Sequence, residues 1–102
     1  MKKYKMRFLP DFERDLDETL EYISSALQNP IAAEQLIDDV EKAIQKRIEM
    51  PLAFESVRLL YDPQHAYYKI YVKNYIIYYV VIDDVVEFRR FLYAKRNVEI
   101  IR

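Results

Sequence analysis

The sequence predicts an α+β fold in which an antiparallel sheet packs on an antiparallel hairpin of two helices. Between residues 11 and 50, apolar residues recur every three or four positions, the period of amphipathic helices. From Tyr67 onward, alternating or continuous runs of tyrosine, isoleucine and valine are typical of strands. The predicted order is one N-terminal strand, two helices and a three-strand C-terminal meander, in a single domain that spans residues 1–102.

The first strand is predicted at residues 3–8, where basic and apolar side chains alternate strictly. Neighbouring side chains of a strand point to opposite faces of its sheet. Tyr4, Met6 and Phe8 should therefore face the core. The outer face of this strand then carries three basic residues, Lys3, Lys5 and Arg7.

Two helices should follow the first strand. The first begins at Pro10 and Asp11, and its apolar stripe continues to Leu27. Asn29 and Pro30 form a start signal for the second helix, because asparagine caps free amides and proline suits the first helical position. Met50 and Pro51 should end that helix. The short link between the two helices predicts an antiparallel hairpin.

The C-terminal half should form three strands at about residues 67–72, 75–82 and 85–93. Lys73-Asn74 and Asp83-Asp84 link them, and Asn and Asp tolerate the backbone of tight hairpins. Residues 52–66 are predicted as a loop that can hold a short strand near residues 57–61. The middle strand, 75–82, is apolar on both faces, which is expected of a strand covered on two sides. The helices should cover one face of the sheet, and the opposite face is where a functional site is expected.

The composition excludes several classes of enzyme. The chain has 102 residues with no cysteine, no glycine and one histidine. These counts exclude cysteine nucleophiles, Cys-type zinc sites and Gly-rich phosphate loops, so we expect no metal and no cofactor. No apolar run is long enough for a membrane span, and no signal segment opens the chain, so a cytoplasmic protein is expected.

Charge is distributed unevenly along the chain. Residues 11–50 contain 11 acidic and 4 basic residues, whereas the remaining residues contain 6 acidic and 12 basic ones. Seven of the ten tyrosines fall between positions 61 and 79. Alternation places Tyr67, Lys69 and Tyr71 on the outer face of the sheet, which suggests a basic, tyrosine-rich surface for nucleic acid or a protein partner. The alternative is that these tyrosines only fill a two-sided sheet.

A second basic cluster stands at the end of the last strand, at Arg89, Arg90, Lys95 and Arg96. Alternation places Arg90 at the margin of the core, where it needs an acceptor, and leaves Arg89 and Arg96 freer. The cluster is either a phosphate-binding site or a solvated strand end. His65 is interpreted as a surface turn residue, since no partner for it is identifiable in the sequence.

The order of these elements and several short words resemble the RelE/ParE superfamily, the toxins of bacterial type II toxin–antitoxin pairs. The words are residues 8–16 at the first strand and helix, Asn29-Pro30 at the turn between helices, residues 69–79 at the central hairpin and residues 90–97 at the last strand. The resemblance implies a small growth-inhibiting toxin that a cognate antitoxin protein holds silent. It also implies a homodimer or a toxin–antitoxin heterotetramer, with no membrane partner.

RelE-like members of the superfamily cut messenger RNA on the ribosome without a metal, by driving the ribose 2′-hydroxyl onto the adjacent phosphate. The resemblance assigns phosphate and proton chemistry to Lys69 and phosphate stabilisation to Arg96. Three other positions of that catalytic pattern are replaced here, by Tyr71, Ile76 and Arg102. Candidate substitutes are Tyr93, Arg89, Arg90, Lys73 and His65. The predicted catalytic set is therefore Lys69, Arg96, Tyr93 and Arg90, with substrate contacts from Lys3, Lys5, Arg7, Lys73, Arg89, Lys95 and Tyr71.

ParE-like members instead resemble DNA gyrase poisons that act by binding, and residues 93–101 are similar to their tail. The sequence leaves three functions open: ribosome-dependent RNA cleavage, gyrase inhibition, and an inert homologue that only binds its antitoxin. RNA cleavage is placed first, because Lys69 and Arg96 carry the charges that this reaction most needs. The antitoxin tail is expected to be acidic where it meets Lys3, Lys5, Lys69 and Arg96.

Overall fold

The computed structural model describes residues 3–99 and contains five strands and two α-helices. The elements, in chain order, are β1 (Lys5–Phe8), α1 (Pro10–Glu21), α2 (Pro30–Arg47), β2 (Val57–Leu59), β3 (Asp62–Val72), β4 (Tyr75–Ile82) and β5 (Val85–Tyr93). A π-helical turn, Tyr22–Ala26, extends α1, so the predicted first helix changes its winding over its last residues. No helix in the described part of the chain is long and apolar enough to span a membrane.

The five strands form one sheet in the order β1-β5-β4-β3-β2. The pairs β3–β4 and β4–β5 are antiparallel, as the meander predicted, and β2 also pairs antiparallel with β3. β1 runs parallel to β5, with Lys5 opposite Val85 and Phe8 opposite Phe88. The α+β class is therefore confirmed, although the sheet is mixed.

The helix boundaries follow the local signals in the sequence. Asn29 caps α2, because its side-chain oxygen accepts a hydrogen bond from the Ala32 amide at 3.1 Å, and Pro30 fills the first helical position. α2 ends at Arg47, three residues before Met50. The hairpin links also match the prediction: Lys73 and Asp83 adopt positive φ angles of 52° and 56°.

The helices bury one face of the sheet in an apolar core. Phe12 of α1 and Leu36 of α2 are each 3% exposed and pack against strand residues such as Phe88. The ring of Phe8 stacks on that of Phe88 with centroids 5.0 Å apart, although Phe8 remains partly exposed at the edge. The other members of this core are Val40, Ile44, Ile70, Val72, Ile77, Tyr79, Val86 and Phe91.

Two expectations about the rest of the sheet were wrong. Residues 62–66 belong to β3 rather than to a loop, because β2 pairs with this segment and Pro63 lies near the hairpin end, where a missing amide is tolerated. The face opposite the helices is not open. A second apolar cluster covers it, comprising Leu59, Tyr67, Ile76, Tyr78, Val80, Leu92 and Val98.

The tail that follows β5 closes this second face. Val98 is buried, and its carbonyl accepts a hydrogen bond from the Leu60 amide at 2.8 Å. Glu99 forms an isolated antiparallel bridge with Leu59. The β2–β3 hairpin and the tail therefore lie together over the surface that the sequence predicted as the functional site.

Candidate functional site

Lys69, the first predicted catalytic residue, lies on the covered face of β3. Its ammonium donates to both carboxylate oxygens of Glu99, at 3.2 and 3.1 Å. The Tyr78 hydroxyl donates to the same carboxylate at 2.9 Å. Burial opposes the charge of Lys69, but the Tyr71 hydroxyl and Glu99 outweigh it and raise its pKa. Lys69 is therefore a neutralised cation that helps to hold the tail against the sheet.

Arg89 lies at the other end of the covered face and is not free. Its guanidinium donates to Glu87 at 2.8 Å, and to Asp62 and the Tyr67 hydroxyl at 3.1 Å each. Tyr67 donates in turn to Asp62 at 2.7 Å, and burial together with this bond raises the pKa of Tyr67 to about 12. The network ties the tip of the β2–β3 hairpin to β5.

His65 has a partner after all, in the same hairpin. Its Nδ1 lies 2.8 Å from Oδ2 of Asp62. This contact is the largest cause of the lowered pKa of Asp62, which Tyr67 and Arg89 also favour. His65 therefore supports an anionic Asp62, and it lies in β3 rather than in a turn.

Arg90 finds its acceptor on α1, as its position at the core margin required. Its Nε and Nη2 donate to the two carboxylate oxygens of Asp15, at 2.6 and 3.1 Å. The hydrogen bonds to Asp15 raise the pKa of Arg90. Asp15 also accepts a hydrogen bond from the Phe91 amide at 3.0 Å. Phe91 lies in the part of β5 that follows the residues paired with β1. This carboxylate clamps α1 to the sheet.

Arg96 and Tyr93 lie on a different side from Lys69. Both line a cavity of about 520 Å³ between α1 and the end of β5, and Lys69 does not line it. Asp15 and Glu18 also line this cavity, so its wall carries negative as well as positive charge. The Tyr93 ring packs edge-on against Tyr75 with centroids 5.8 Å apart. The structure does not bring Lys69 and Arg96 together in one cavity.

The predicted substrate-binding residues do not form one surface. The basic side of β1 and the outer side of β3 are separated by β5 and β4. Lys5 pairs with Asp84 at 3.8 Å, Arg7 with Glu87 at 3.1 Å and Lys73 with Asp39 at 3.3 Å. Arg89 pairs within the chain as described above, and the other three, Lys3, Lys95 and Tyr71, are exposed. Arg102, a position where the catalytic pattern is replaced, lies outside the described residues.

The carboxylates that neutralise these cations were missed by the sequence reasoning. Asp15 is one of five acidic residues between positions 11 and 18, and such residues also suit the positive end of a helix dipole. It stands three residues after the buried Phe12, so a helical projection places it on the edge of the apolar stripe, and that signal was available. The pairs of Glu99 with Lys69 and of Asp62 with Arg89 had no such signal, since their members are 30 and 27 residues apart.

A separate apolar groove lies between β1 and the helical hairpin. It has a volume of about 460 Å³, and at its mouth Met6, Phe8 and Ile37 are each about 40% exposed. Phe12, Leu16, Val40 and Ile44 complete its apolar wall. Its charged lining is wholly acidic among the described residues: Glu13, Asp17 and Glu41. The groove suits an apolar segment, and its charge favours basic flanks on that segment.

A helical hairpin on one face of a five-strand sheet is the α+β architecture expected of the RelE/ParE superfamily, and a family model places the chain in that superfamily. Within that superfamily, the chain belongs to the family described as the ParE toxin of the type II toxin–antitoxin system parDE, whose model matches residues 6–98.

Among solved structures, a chain titled "Chromosomal ParDE TA system from P. aeruginosa" is similar to this one with a TM-score of 0.71. The match covers 90% of this chain and 97% of that chain, at 12% sequence identity. At this identity the likeness is one of fold. The comparison with curated proteins finds no match.

Proposed function

We propose that this toxin arrests growth by binding DNA gyrase in the cytoplasm, with no bond-making residue of its own. Membership of the ParE family supports this target, because the ParE-like branch resembles gyrase poisons. The observation that carries the proposal is the ion pairing of the candidate catalytic cations. Lys69, Arg89 and Arg90 each pair with a carboxylate of the same chain.

A ribonuclease would need those cations for the phosphate. Stabilising a developing phosphorane requires donors aimed at an open position, and they are most effective where no internal anion competes. Lys69 meets Glu99 and Arg90 meets Asp15, so each would first have to lose its carboxylate. Arg96 lies in a different cavity with two acidic residues in its wall. This arrangement favours binding over cleavage.

Ribosome-dependent cleavage is the competing function, and one observation favours it. Lys69 and the Tyr78 hydroxyl both bind the Glu99 carboxylate, so a cation and a hydroxyl meet at one anionic oxygen, an arrangement that could also receive a phosphate oxygen. The reaction would require the tail that carries Glu99 to leave the sheet. Removing Lys69 should therefore abolish RNA cleavage, whereas it should leave gyrase inhibition largely unchanged.

The direct test measures supercoiling by purified DNA gyrase with increasing toxin, together with an assay for trapped cleavage complexes. We expect the toxin to inhibit supercoiling at a fixed stoichiometry. Transcripts from cells that express the toxin are mapped at their 5′ ends in parallel. Unimpaired gyrase together with codon-phased cuts on translating ribosomes would contradict the proposal, and silence in both assays without growth arrest would indicate an inert homologue.

Membership of a toxin–antitoxin family supports a cognate antitoxin as partner, and we propose that it binds the apolar groove. The acidic rim formed by Glu13, Asp17 and Glu41 favours an antitoxin segment with apolar side chains and basic flanks. This replaces the acidic tail that the sequence suggested, because two of the four cations assigned to it, Lys5 and Lys69, pair with carboxylates of the same chain.

The groove assignment is tested with two matched charge reversals on α2. Glu41→Lys changes the rim, whereas Asp38→Lys changes an exposed position that lines none of the cavities described here. We expect the first to weaken antitoxin binding about tenfold and the second to change it by less than about twofold, as charge reversal at a rim commonly does. Calorimetry with the purified antitoxin measures both. Equal affinities would show that the antitoxin binds elsewhere.

A further inference from the structure

The largest cavity described here lies beside the segment that follows α2. It has a volume of about 600 Å³ and shares no lining residue with the apolar groove. Three large side chains in its wall, Met50, Phe54 and Tyr71, are each more than half exposed. Methionine and aromatic residues are enriched at protein interfaces. Exposed together around one concavity, they indicate an interaction surface.

This surface is held in place before any partner arrives. Nη1 of Arg47 donates to the Lys69 carbonyl at 2.7 Å and to the Tyr79 hydroxyl at 3.1 Å. Tyr79 donates to the Pro51 carbonyl at 2.7 Å, which fixes the start of the segment. The guanidinium carbon of Arg47 lies 3.7 Å from the ring centroid of Phe54. A preorganised surface loses little conformational entropy on binding.

Arg47 also carries an uncompensated charge. The described contacts of its guanidinium are all with neutral groups, whereas Lys69, Arg89 and Arg90 each meet a carboxylate. No described residue accepts a hydrogen bond from its Nε or Nη2. Neither atom is fully buried, so both can be reached by a partner. These two atoms form one edge of the guanidinium, the edge that binds a carboxylate through two parallel hydrogen bonds.

We infer that this cavity is the docking surface for an acidic, apolar segment of the target protein. A carboxylate of that segment meets the free edge of Arg47, and a neighbouring apolar side chain packs among Met50, Phe54 and Tyr71. The inference rests on the proposed function, which makes the target DNA gyrase.

The chemistry of the cavity favours a protein over a nucleic acid. A phosphodiester chain needs a row of free cations. Only Lys46 and Arg47 supply positive charge to the described lining, and Glu49 opposes them. A protein segment with a single carboxylate beside an apolar side chain needs only one or two cations, and this cavity supplies them.

The experiment compares two charge reversals on the exposed side of α2. Lys46→Glu changes the rim of the cavity, and Lys42→Glu, one turn earlier, changes a position that lines none of the cavities described here. We expect Lys46→Glu to raise the toxin concentration that half-inhibits gyrase supercoiling about tenfold, and Lys42→Glu to raise it less than about twofold. Both variants should bind the antitoxin as the wild type does.

A second pair of variants probes the sign of the partner's charge at an exposed position whose replacement leaves the core intact. Tyr71→Glu and Tyr71→Lys remove the same ring and the same contact with Lys69, so the loss of the ring cancels when the two are compared. An acidic partner predicts that the glutamate variant inhibits gyrase at least about fivefold more weakly than the lysine variant. Equal inhibition by the two, or the reverse order, contradicts the inference.

The failures are distinguishable. Wild-type toxin without effect on gyrase overturns the proposed function and this assignment together. Inhibition that Lys46→Glu leaves unchanged overturns only the assignment, as does a parallel loss of antitoxin affinity. Fluorescence anisotropy with a single-stranded oligonucleotide supplies the last arm: tight binding by the wild type that Lys46→Glu abolishes would show that the ligand is a nucleic acid.

Discussion

The two faces of the sheet are covered by different physical means. The helix face is closed mainly by apolar side chains such as Phe12 and Leu36, and its ion pairs, Arg90 with Asp15 and Lys73 with Asp39, add to that core. The opposite face has a smaller apolar cluster, and around it ion pairs fasten the hairpin tip and the tail. Burial of apolar area is insensitive to pH and salt, whereas ion pairs depend on both. The packing of the second face should therefore depend more strongly on pH and salt, and its cations serve structure.

The largest expected loss of stability comes from the helix face. Leu36→Ala removes a side chain that is 3% exposed, and should lower the free energy of unfolding by about 3 kcal/mol through lost transfer energy and a residual cavity. Ile37→Ala, the adjacent exposed position, is the control and should cost less than about 1 kcal/mol. Urea denaturation followed by circular dichroism measures both. Equal losses would show that this face is not the main core.

The next effect concerns the clamp between α1 and β5. Asp15→Ala leaves Arg90 and the Phe91 amide without their acceptor, and should cost about 2 kcal/mol because both are only partly reached by solvent. Asp17→Ala changes an exposed position two residues further along the same helix, and it should cost less than about 0.5 kcal/mol. Thermal unfolding compares the two. If Asp15 were only a helix-dipole acid, the two variants would behave alike.

A smaller loss is expected at the tail. Glu99→Gln keeps the shape of the side chain but removes the charge that meets Lys69 and Tyr78, and should cost about 1 kcal/mol, less at high salt. Hydrogen exchange of the Leu60 amide, which is bonded to Val98, should accelerate in this variant. Unchanged exchange would mean that apolar contacts alone hold the tail.

The smallest effect is a loss of stability at alkaline pH through Tyr67 on the second face. The pKa of Tyr67 is raised to about 12 by burial and by its bond to Asp62, so the folded state favours the neutral phenol. Its contribution is fully present below pH 10 and is lost as pH rises toward 12, by less than about 1 kcal/mol at pH 10.5. Tyr67→Phe should flatten this decline. An equal slope in the variant would assign alkaline sensitivity to other tyrosines.

The sequence predicted local structure well and long-range pairing poorly. Asn29, Pro30 and the links at Lys73 and Asp83 act through neighbouring residues, so they located the helix start and both tight hairpins. The direction of β1 was missed, because alternation does not report which strand is the partner.

The electrostatics of the candidate site were equally hidden. Arg90 and Asp15 are 75 residues apart, and Lys69 and Glu99 are 30 apart. Only the folded chain brings them together. From the sequence alone, several cations are therefore predicted to be free although the chain's own carboxylates neutralise them. The same error favours RNA cleavage over binding.

The most direct test of the central claim is the gyrase supercoiling assay with a toxin in which the Lys69–Glu99 pair is removed as a unit. Replacing both partners by methionine leaves no unpaired charge and approximates the same volume. The account predicts that the folded Lys69→Met, Glu99→Met variant inhibits gyrase within about twofold of the wild type, because the pair serves structure and no bond-making step depends on it. Loss of inhibition and of growth arrest in a folded variant that still binds the antitoxin would contradict it.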